Sequence, residues 1–477
     1  MFGVGVAGWA LAGPSGLSGY PAARVQPPLA STGSAAGQAN WSQLERQLQG
    51  RVVLAGDADY GMAKQIFNTR FDSETPAAVV QVATVEDVAA AMSFAGANNL
   101  TVAARSGGHS YAGVSSATGA MIIDLRQLGG VSYQDGEAVV GPGQTLYQVY
   151  AELDRFGQTI PTGMCPDVGV AGLTLGGGIG FESRRYGVTC DRLAAATMVL
   201  PDGTVTEVSD TSRPDLFWGI RGGGPLFGVV TSFTYRTCPA ESKDVVRLTF
   251  PGDKVAQAIA GWWAWMQNAD RSQWADISVD ADGHGGLTCW VQLLCDTGAG
   301  PGAVSDFTAA TMTPLTVEIS TLSHMDTVSI LGGGSPTQPR ASFTNGSDVV
   351  ADMTPAVIDA VIGALTSFSV AGGTGWVQIN TLDGAVRDTG PDETAFPWRT
   401  HAALVEWGAY QPIPPEAALA WVTAAHRLIQ PSSVGAYVNY LEPGDPLARY
   451  YGNNYARLAE LRRTVDPGNL IHTVLAE

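Results

Sequence analysis

Two glycine-rich segments carry the side chains best suited to bonding a ligand. Residues 105–113 read RSGGHSYAG and hold His109; residues 163–191 read GMCPDVGVAGLTLGGGIGFESRRYGVTCD and hold Cys165. Imidazole and thiol are both nucleophiles. The neighbouring glycines let backbone N–H groups approach a large anionic ligand closely. A lone histidine is more often a hydrogen-bonded surface residue, and a lone cysteine a small buried one. Here both sit in glycine loops, which points to a cofactor bonded to the protein twice.

Such loops need elements to hold them. Residues 76–109 read as strand, helix, strand and glycine loop: an apolar run at 79–82, a helix through Ala97 capped by Thr84 with Asp87 three residues on, and a strand at 101–104. A buried strand at 122–125 follows, then a helix at 145–156 that Gly157 ends in a left-handed cap. Residues 198–208 read as a hairpin around Pro201-Asp202-Gly203, and 227–235 as a β-branched strand closing the first lobe. From about Pro239 the glycine loops give way to alternating stretches at 287–294 and 375–382. Helical patterns at 256–267, 355–367 and 415–429 would cover one face of such a sheet. No internal repeat is visible.

At 477 residues the chain exceeds what one core usually organises, so two lobes are expected, and its 45% hydrophobic content supports packed ones. Forty-four acidic against 26 basic residues give a net charge of -18, which argues against nucleic acid. Lysine occurs only at 64, 243 and 254, and none follows a glycine, so there is no phosphate loop ending in Gly-Lys. H-E-x-x-H and G-x-S-x-G are missing, and the other histidines lack ligand spacing, so no metal site is expected. Five cysteines make no disulfide framework; Cys190, Cys238, Cys289 and Cys295 are either buried thiols, which we favour, or pairs. Gly3, Gly5 and Gly8 spell G-x-G-x-x-G, yet no strand can precede them. Residues 1–40 read as a leader or disordered segment; an apolar stretch near the start lacks a basic region before it, so location outside the cell is only slightly favoured over the cytoplasm. No run is long and apolar enough for a membrane span.

The quoted motifs resemble the berberine bridge enzyme-like flavoproteins of the vanillyl-alcohol oxidase and p-cresol methylhydroxylase superfamily. R-S-G-G-H and G-x-C-P-x-V-G are joined by residues 221–231, similar to R-G-G-G-x-x-F-G-V-V-T, and by a closing segment at 451–470 with a D-P-x-N-L ending. The resemblance implies FAD linked through its 8α-methyl to His109 and through C6 to Cys165. It implies further cofactor contacts at Arg105, Ser106, Gly107, Gly108, Ser110, Val168, Gly169, Gly172, Thr174, Gly177, Gly178, Gly180, Tyr186, Gly187, Val230 and Asn439. Two departures stand out: Asp167 replaces the usual threonine, and Pro225 and Leu226 replace a common Gly and Asn.

The fold implied is α+β and two-lobed, with an FAD-binding domain at 41–238, a substrate domain on a large antiparallel sheet at 239–429, and a C-terminal segment at 430–477 completing the FAD domain. The family's Y-x-N-Y falls on residues 437–440, which makes Tyr440 the expected base with Tyr437 beside it. A phenol whose ordinary pKa is about 10 needs a cation or donors to act so at neutral pH. Trp376, Gln378 and Asn380 alternate along one strand face and are candidate substrate contacts, with Tyr111, Phe396 and Trp398 as further wall candidates. Related sugar oxidases carry an acid near that glutamine, and Asn380 cannot be that acid. Val168 falls where the family gates oxygen, and valine resembles the oxidases. The expected reaction takes hydride from an alcohol carbon of a sugar, oligosaccharide or glycosylated metabolite and reduces O2 to H2O2. The alternatives are a dehydrogenase with another acceptor and a non-catalytic carbohydrate-binding scaffold. Expected partners are the small substrate and O2, with the protein a monomer or weak homodimer.

Overall fold

The computed structural model describes residues 39–473. Gly3, Gly5 and Gly8, and nearly all of the expected leader, lie outside the described residues. Among the described residues no helix is long and apolar enough to cross a membrane, and no cluster of His, Cys, Asp and Glu could hold a metal ion.

Three main sheets organise the chain. A four-stranded sheet runs Arg51–Val53, Ala78–Gln81, Met121–Asp124, Val102–Arg105; its last three strands are parallel. The helix Val85–Asn98 covers it, started by Thr84, whose hydroxyl accepts the Asp87 N–H. A five-stranded antiparallel sheet follows, in which Leu193–Val199 and Val205–Ser209 form the expected hairpin, turning at Gly203 with φ +85°. The helix Leu146–Asp154 packs beside it, closed at its start by a reciprocal Thr145–Gln148 capping box.

The third sheet has eight strands in the order Thr316–Leu322, Lys243–Phe250, Leu287–Asp296, Trp274–Ala281, Trp376–Thr381, Ala403–Tyr410, Phe343–Val350, Ser433–Gly435, all pairing antiparallel. Its two faces differ. Ile277, Val291, Val377, Ile379, Val405 and Trp407 point to the side covered by the helices Val255–Met266, Pro355–Val370 and Pro415–Ile429 and join one buried cluster. Each such side chain contributes roughly 1.5–3 kcal/mol on burial, which fixes the register of the alternating strands. The residues between them therefore face the first lobe.

The α+β, two-lobed expectation holds, and the expected elements are present, most with ends shifted by a residue or two; the hairpin's first strand starts five residues earlier, at Leu193, and the helix at 355–367 runs on to Val370. Six of the eight sheet strands were not foreseen, among them Phe343–Val350, which is buried at every position and so has no alternation to read.

Candidate active site

The two glycine loops meet backbone to backbone. A Cβ on Gly107 would collide with the Gly169 backbone, and one on Gly169 with Gly107 N and Ser106 Oγ. Only glycines permit this approach, and it brings the His109 loop against the Cys165 loop. His109 stacks on Phe67 with ring centroids 4.1 Å apart, and its Nε2 lies 3.4 Å from Asp167 Oδ1. Cys165 is exposed, in a recess where surrounding protein still desolvates it. That desolvation, with the charges of Asp167 and Glu406, pushes its thiol up to about 12. Cys190, Cys238, Cys289 and Cys295 are buried free thiols.

The large sheet brings its polar face to this place. One row of facing residues runs Ser278, Gln378, Glu406, Ser347 across four strands. Glu406 is buried, 3% exposed, and accepts hydrogen bonds from Tyr111 Oη at 2.8 Å and Asn345 Nδ2 at 3.0 Å. Tyr440 also hydrogen-bonds it. Burial raises this carboxyl to about 7, against the pull of those three donors. The Tyr111 ring stacks on Tyr440 at 5.0 Å with planes 4° apart. Gln378 donates from Nε2 to the buried Asp276, which burial likewise raises to about 7.

This arrangement changes the setting expected for Tyr440. A cation or donors beside it were expected to lower its pKa; the structure puts the Glu406 carboxyl there. Burial, then Glu406, push the Tyr440 phenol well above its ordinary value, so Tyr440 can take a proton only by giving up its own, and the Glu406 carboxyl, raised to about 7, is placed to receive it. Tyr437 is held differently. It is buried, and its oxygen accepts the Gly178 N–H and the Asn439 amide, each at 2.8 Å. Asn439 donates as well to Leu173 O, so both side chains hold the glycine turn, where Gly177 and Gly178 have φ of +119° and +88°.

Residues 76–209 match the family described as FAD binding domain, and residues 436–473 the family described as berberine and berberine like. The carbohydrate oxidase of Microdochium nivale is 30% identical over 456 residues, covering 87% of this chain and 90% of its own. The chain belongs to the berberine bridge enzyme-like FAD-linked oxidoreductases. Within that family, the wild-type BBE-like 1 of Physcomitrella patens superposes with a TM-score of 0.83 at 24% identity, covering 91% of this chain and 99% of its own. The glucooligosaccharide oxidase of Acremonium strictum, described with a 6-S-cysteinyl, 8α-N1-histidyl FAD, does so at 0.81 and 21%, covering 91% and 98%.

The residues of this berberine bridge enzyme-like protein fit FAD. His109 and Cys165 stand on loops fixed against each other, and Gly172 is exposed with no atom within 4 Å of where a Cβ would be. Some expected contacts turn inward instead. The Arg105 guanidinium, 1% exposed, pairs with Asp124 at 2.9 Å and donates to Ala63 O at 2.6 Å. Thr174 Oγ1 bonds Tyr235 Oη in the core, and Val230 is buried in the same apolar cluster as Tyr235. Trp398, expected in the wall, is 3% exposed and donates to Ala436 O; Phe396 is buried with it. Apolar packing claims these rings because the segment 395–399 passes between the lobes. Ser106 donates to Pro142 O, Ser110 accepts the Val114 N–H, and Tyr186 lies under the Arg185 guanidinium. Gly187 has φ +87° against Asp191, and a Cβ on Gly180 would strike Thr162 O.

On the substrate strand Trp376, Gln378 and Asn380 do share the face opposite Val377 and Ile379, with Asn380 buried. Sequence reasoning missed Glu406 and Asn345. A signal existed for the first: Glu406 is the only charged residue in the apolar run from Ala402 to Tyr410.

Proposed function

We propose that this protein oxidises a hydroxyl-bearing carbon of a sugar, oligosaccharide or glycosylated metabolite, with FAD bonded to His109 and Cys165 and O2 as the electron acceptor. The observation that carries this reading is a buried carboxyl, Glu406, in hydrogen-bond contact with Tyr111 and Tyr440 near Cys165, where burial raises it to about 7. When bound, FAD supplies the hydride acceptor. The chain's own part is proton handling and orientation. Tyr440 takes the substrate hydroxyl proton while passing its own to the Glu406 carboxylate, so no free phenolate is needed. Tyr111 holds Glu406 and, stacked on Tyr440, keeps both phenols facing the same recess.

Substrate recognition falls to the polar sheet face. The Gln378 amide donates to Asp276, which leaves its carbonyl oxygen to accept from a substrate hydroxyl, and Trp376 offers a ring on which a sugar can lie. The carbohydrate oxidase of Microdochium nivale supports the substrate class. The glucooligosaccharide oxidase described with a doubly linked FAD supports the attachment mode. Val168, three residues beyond Cys165, supports oxygen as acceptor.

The test is peroxide release from a panel of mono- and oligosaccharides in air, with anaerobic flavin bleaching read in parallel. Bleaching by a sugar followed by fast reoxidation in air supports the reading. Bleaching with very slow reoxidation would overturn the oxidase assignment, and no bleaching by any sugar the substrate class. Tyr440→Phe should retain bound flavin while turnover falls at least tenfold, because the relay to Glu406 is lost.

A further inference from the structure

We propose that Asp167 is a positioning residue for flavin attachment: its carboxylate holds the proton of His109 on Nε2 and so presents Nδ1 as the bonding atom. The inference rests on the covalent reading above and concerns how that bond comes to form. Which imidazole nitrogen is free to react is set by the partner of the other one. In this chain that partner is on the neighbouring loop. His109 Nε2 lies at ion-pair distance, 3.4 Å, from Asp167 Oδ1, and Oδ1 is buried and accepts no hydrogen bond, so it is free to take one from Nε2–H. Asp167 Oδ2 is itself fixed, accepting the Gln338 N–H at 3.0 Å. Phe67 stacks on the imidazole and sets its plane. The ring is thus held on its face by an aromatic and on one edge by an anion, which leaves the Nδ1 edge as the reactive one.

Two further features fit this role. Burial alone would raise the Asp167 carboxyl, but the His109 and Gln338 contacts outweigh it and hold it below its usual range, so it is an anion at neutral pH. The two loops are also fixed against each other, since Gly107 and Gly169 touch backbone to backbone two residues from His109 and Asp167 respectively. An aspartate in place of the threonine common at this position therefore brings a charge to the histidine rather than to the ring system at large.

The step balances as follows. The flavin 8α-methyl carbon loses one C–H, and Nδ1 forms the new C–N bond with its lone pair. The two electrons released pass through the flavin ring to dioxygen. Dioxygen takes up the C–H proton and one from solvent and leaves as hydrogen peroxide. The imidazole ends as a cation with its proton on Nε2, the charge that Asp167 faces.

The test uses Cys165→Ala protein, in which His109 carries the only flavin bond, made in flavin-depleted cells and then given FAD. Covalent flavin is followed over time by fluorescence of the denatured polypeptide and by the mass of the His109 peptide. Non-covalent FAD affinity and the thermal melt serve as checks of folding. With Asp167 present, covalent flavin accumulates. Asp167→Ala should slow accumulation roughly ten- to a hundredfold, the effect that outer carboxylates have on the histidines they orient at metal sites, with FAD affinity unchanged. Asp167→Asn, which keeps an acceptor oxygen for Nε2–H, should recover part of the rate. Attachment at the parent rate in both Asp167 variants would overturn the proposal. Cys165→Ala protein that gains no covalent flavin even with Asp167 intact would overturn the covalent reading, and the proposal with it.

Discussion

The two halves of the active site are built by different means. On the cofactor side, function is carried by short contiguous loops whose backbones must touch: Gly107 on Gly169, Gly180 against Thr162 O. Residue type there is dictated by local geometry, and the chemistry-bearing residues stand within a few positions of the glycines that place them. On the substrate side, Glu406, Asn345, Gln378 and Asp276 come from four separate strands and meet only through sheet register. Substitutions on the first side should therefore disturb the fold and the flavin, and those on the second should disturb chemistry while leaving the flavin in place.

The sharpest test of that contrast is Glu406→Gln. The isosteric change keeps the sheet but removes the proton acceptor, so kcat should fall on the order of 100- to 10,000-fold with the flavin content unchanged. In the parent protein kcat should rise as pH passes about 7, because Glu406 must be ionised to accept a proton. Loss of flavin from this variant, in mass and absorption, would erase the distinction between the two sides.

The second test probes what joins the halves. His426 is held by Asp348 at 2.6 Å and Glu442 at 2.9 Å, and Arg449 pairs with both acids, so the sheet is tied to the C-terminal segment that carries Tyr437 and Tyr440. The two acids raise His426 from 6.5 to about 9, against burial, which lowers it. A raised folded value means the folded chain holds the proton more tightly. This stabilisation is fully present below about pH 6.5 and is lost as pH rises through about 9, amounting to about 3 kcal/mol by linkage. Denaturant unfolding at pH 6 and pH 10 measures it, with His426→Ala as the reference that lacks the dependence.

Smaller effects belong to the loops. Gly169→Ala drives a methyl group into the Gly107 backbone and should lower stability by about 1–3 kcal/mol and weaken flavin retention, read from urea midpoints and from flavin released on dilution. Tyr437→Phe removes the acceptor for the Gly178 N–H and the Asn439 amide, a loss of about 1–2 kcal/mol with kcat little changed. A collapse of kcat with normal stability would return Tyr437 to the catalytic role that its motif implies.

Legibility followed the same division. The strand–helix–strand run into His109, the hairpin at Gly203 and the helix Pro415–Ile429 were readable because capping, turn chemistry and apolar period all act over a few residues. Phe343–Val350 was not, since a strand buried on both faces and containing Asn345, Gly346, Ser347 and Asp348 shows neither alternation nor an apolar run. Arg105 and Trp398 misled for a related reason: a motif names the residue but not the direction of its side chain, and Asp124 and the Ala436 carbonyl decided that.

By itself, then, the sequence determined the α+β class, the two glycine loops that carry His109 and Cys165, and the tyrosine pair of the C-terminal segment, because each depends on residues close together in the chain. Only the tertiary structure decided which group can hold the proton. Glu406 acquires its near-neutral pKa from burial and from Tyr111, Asn345 and Tyr440, partners contributed by the first glycine loop, a neighbouring strand and the C-terminal segment. A pKa is a property of surroundings, and these surroundings exist only after the sheet has closed against the loops.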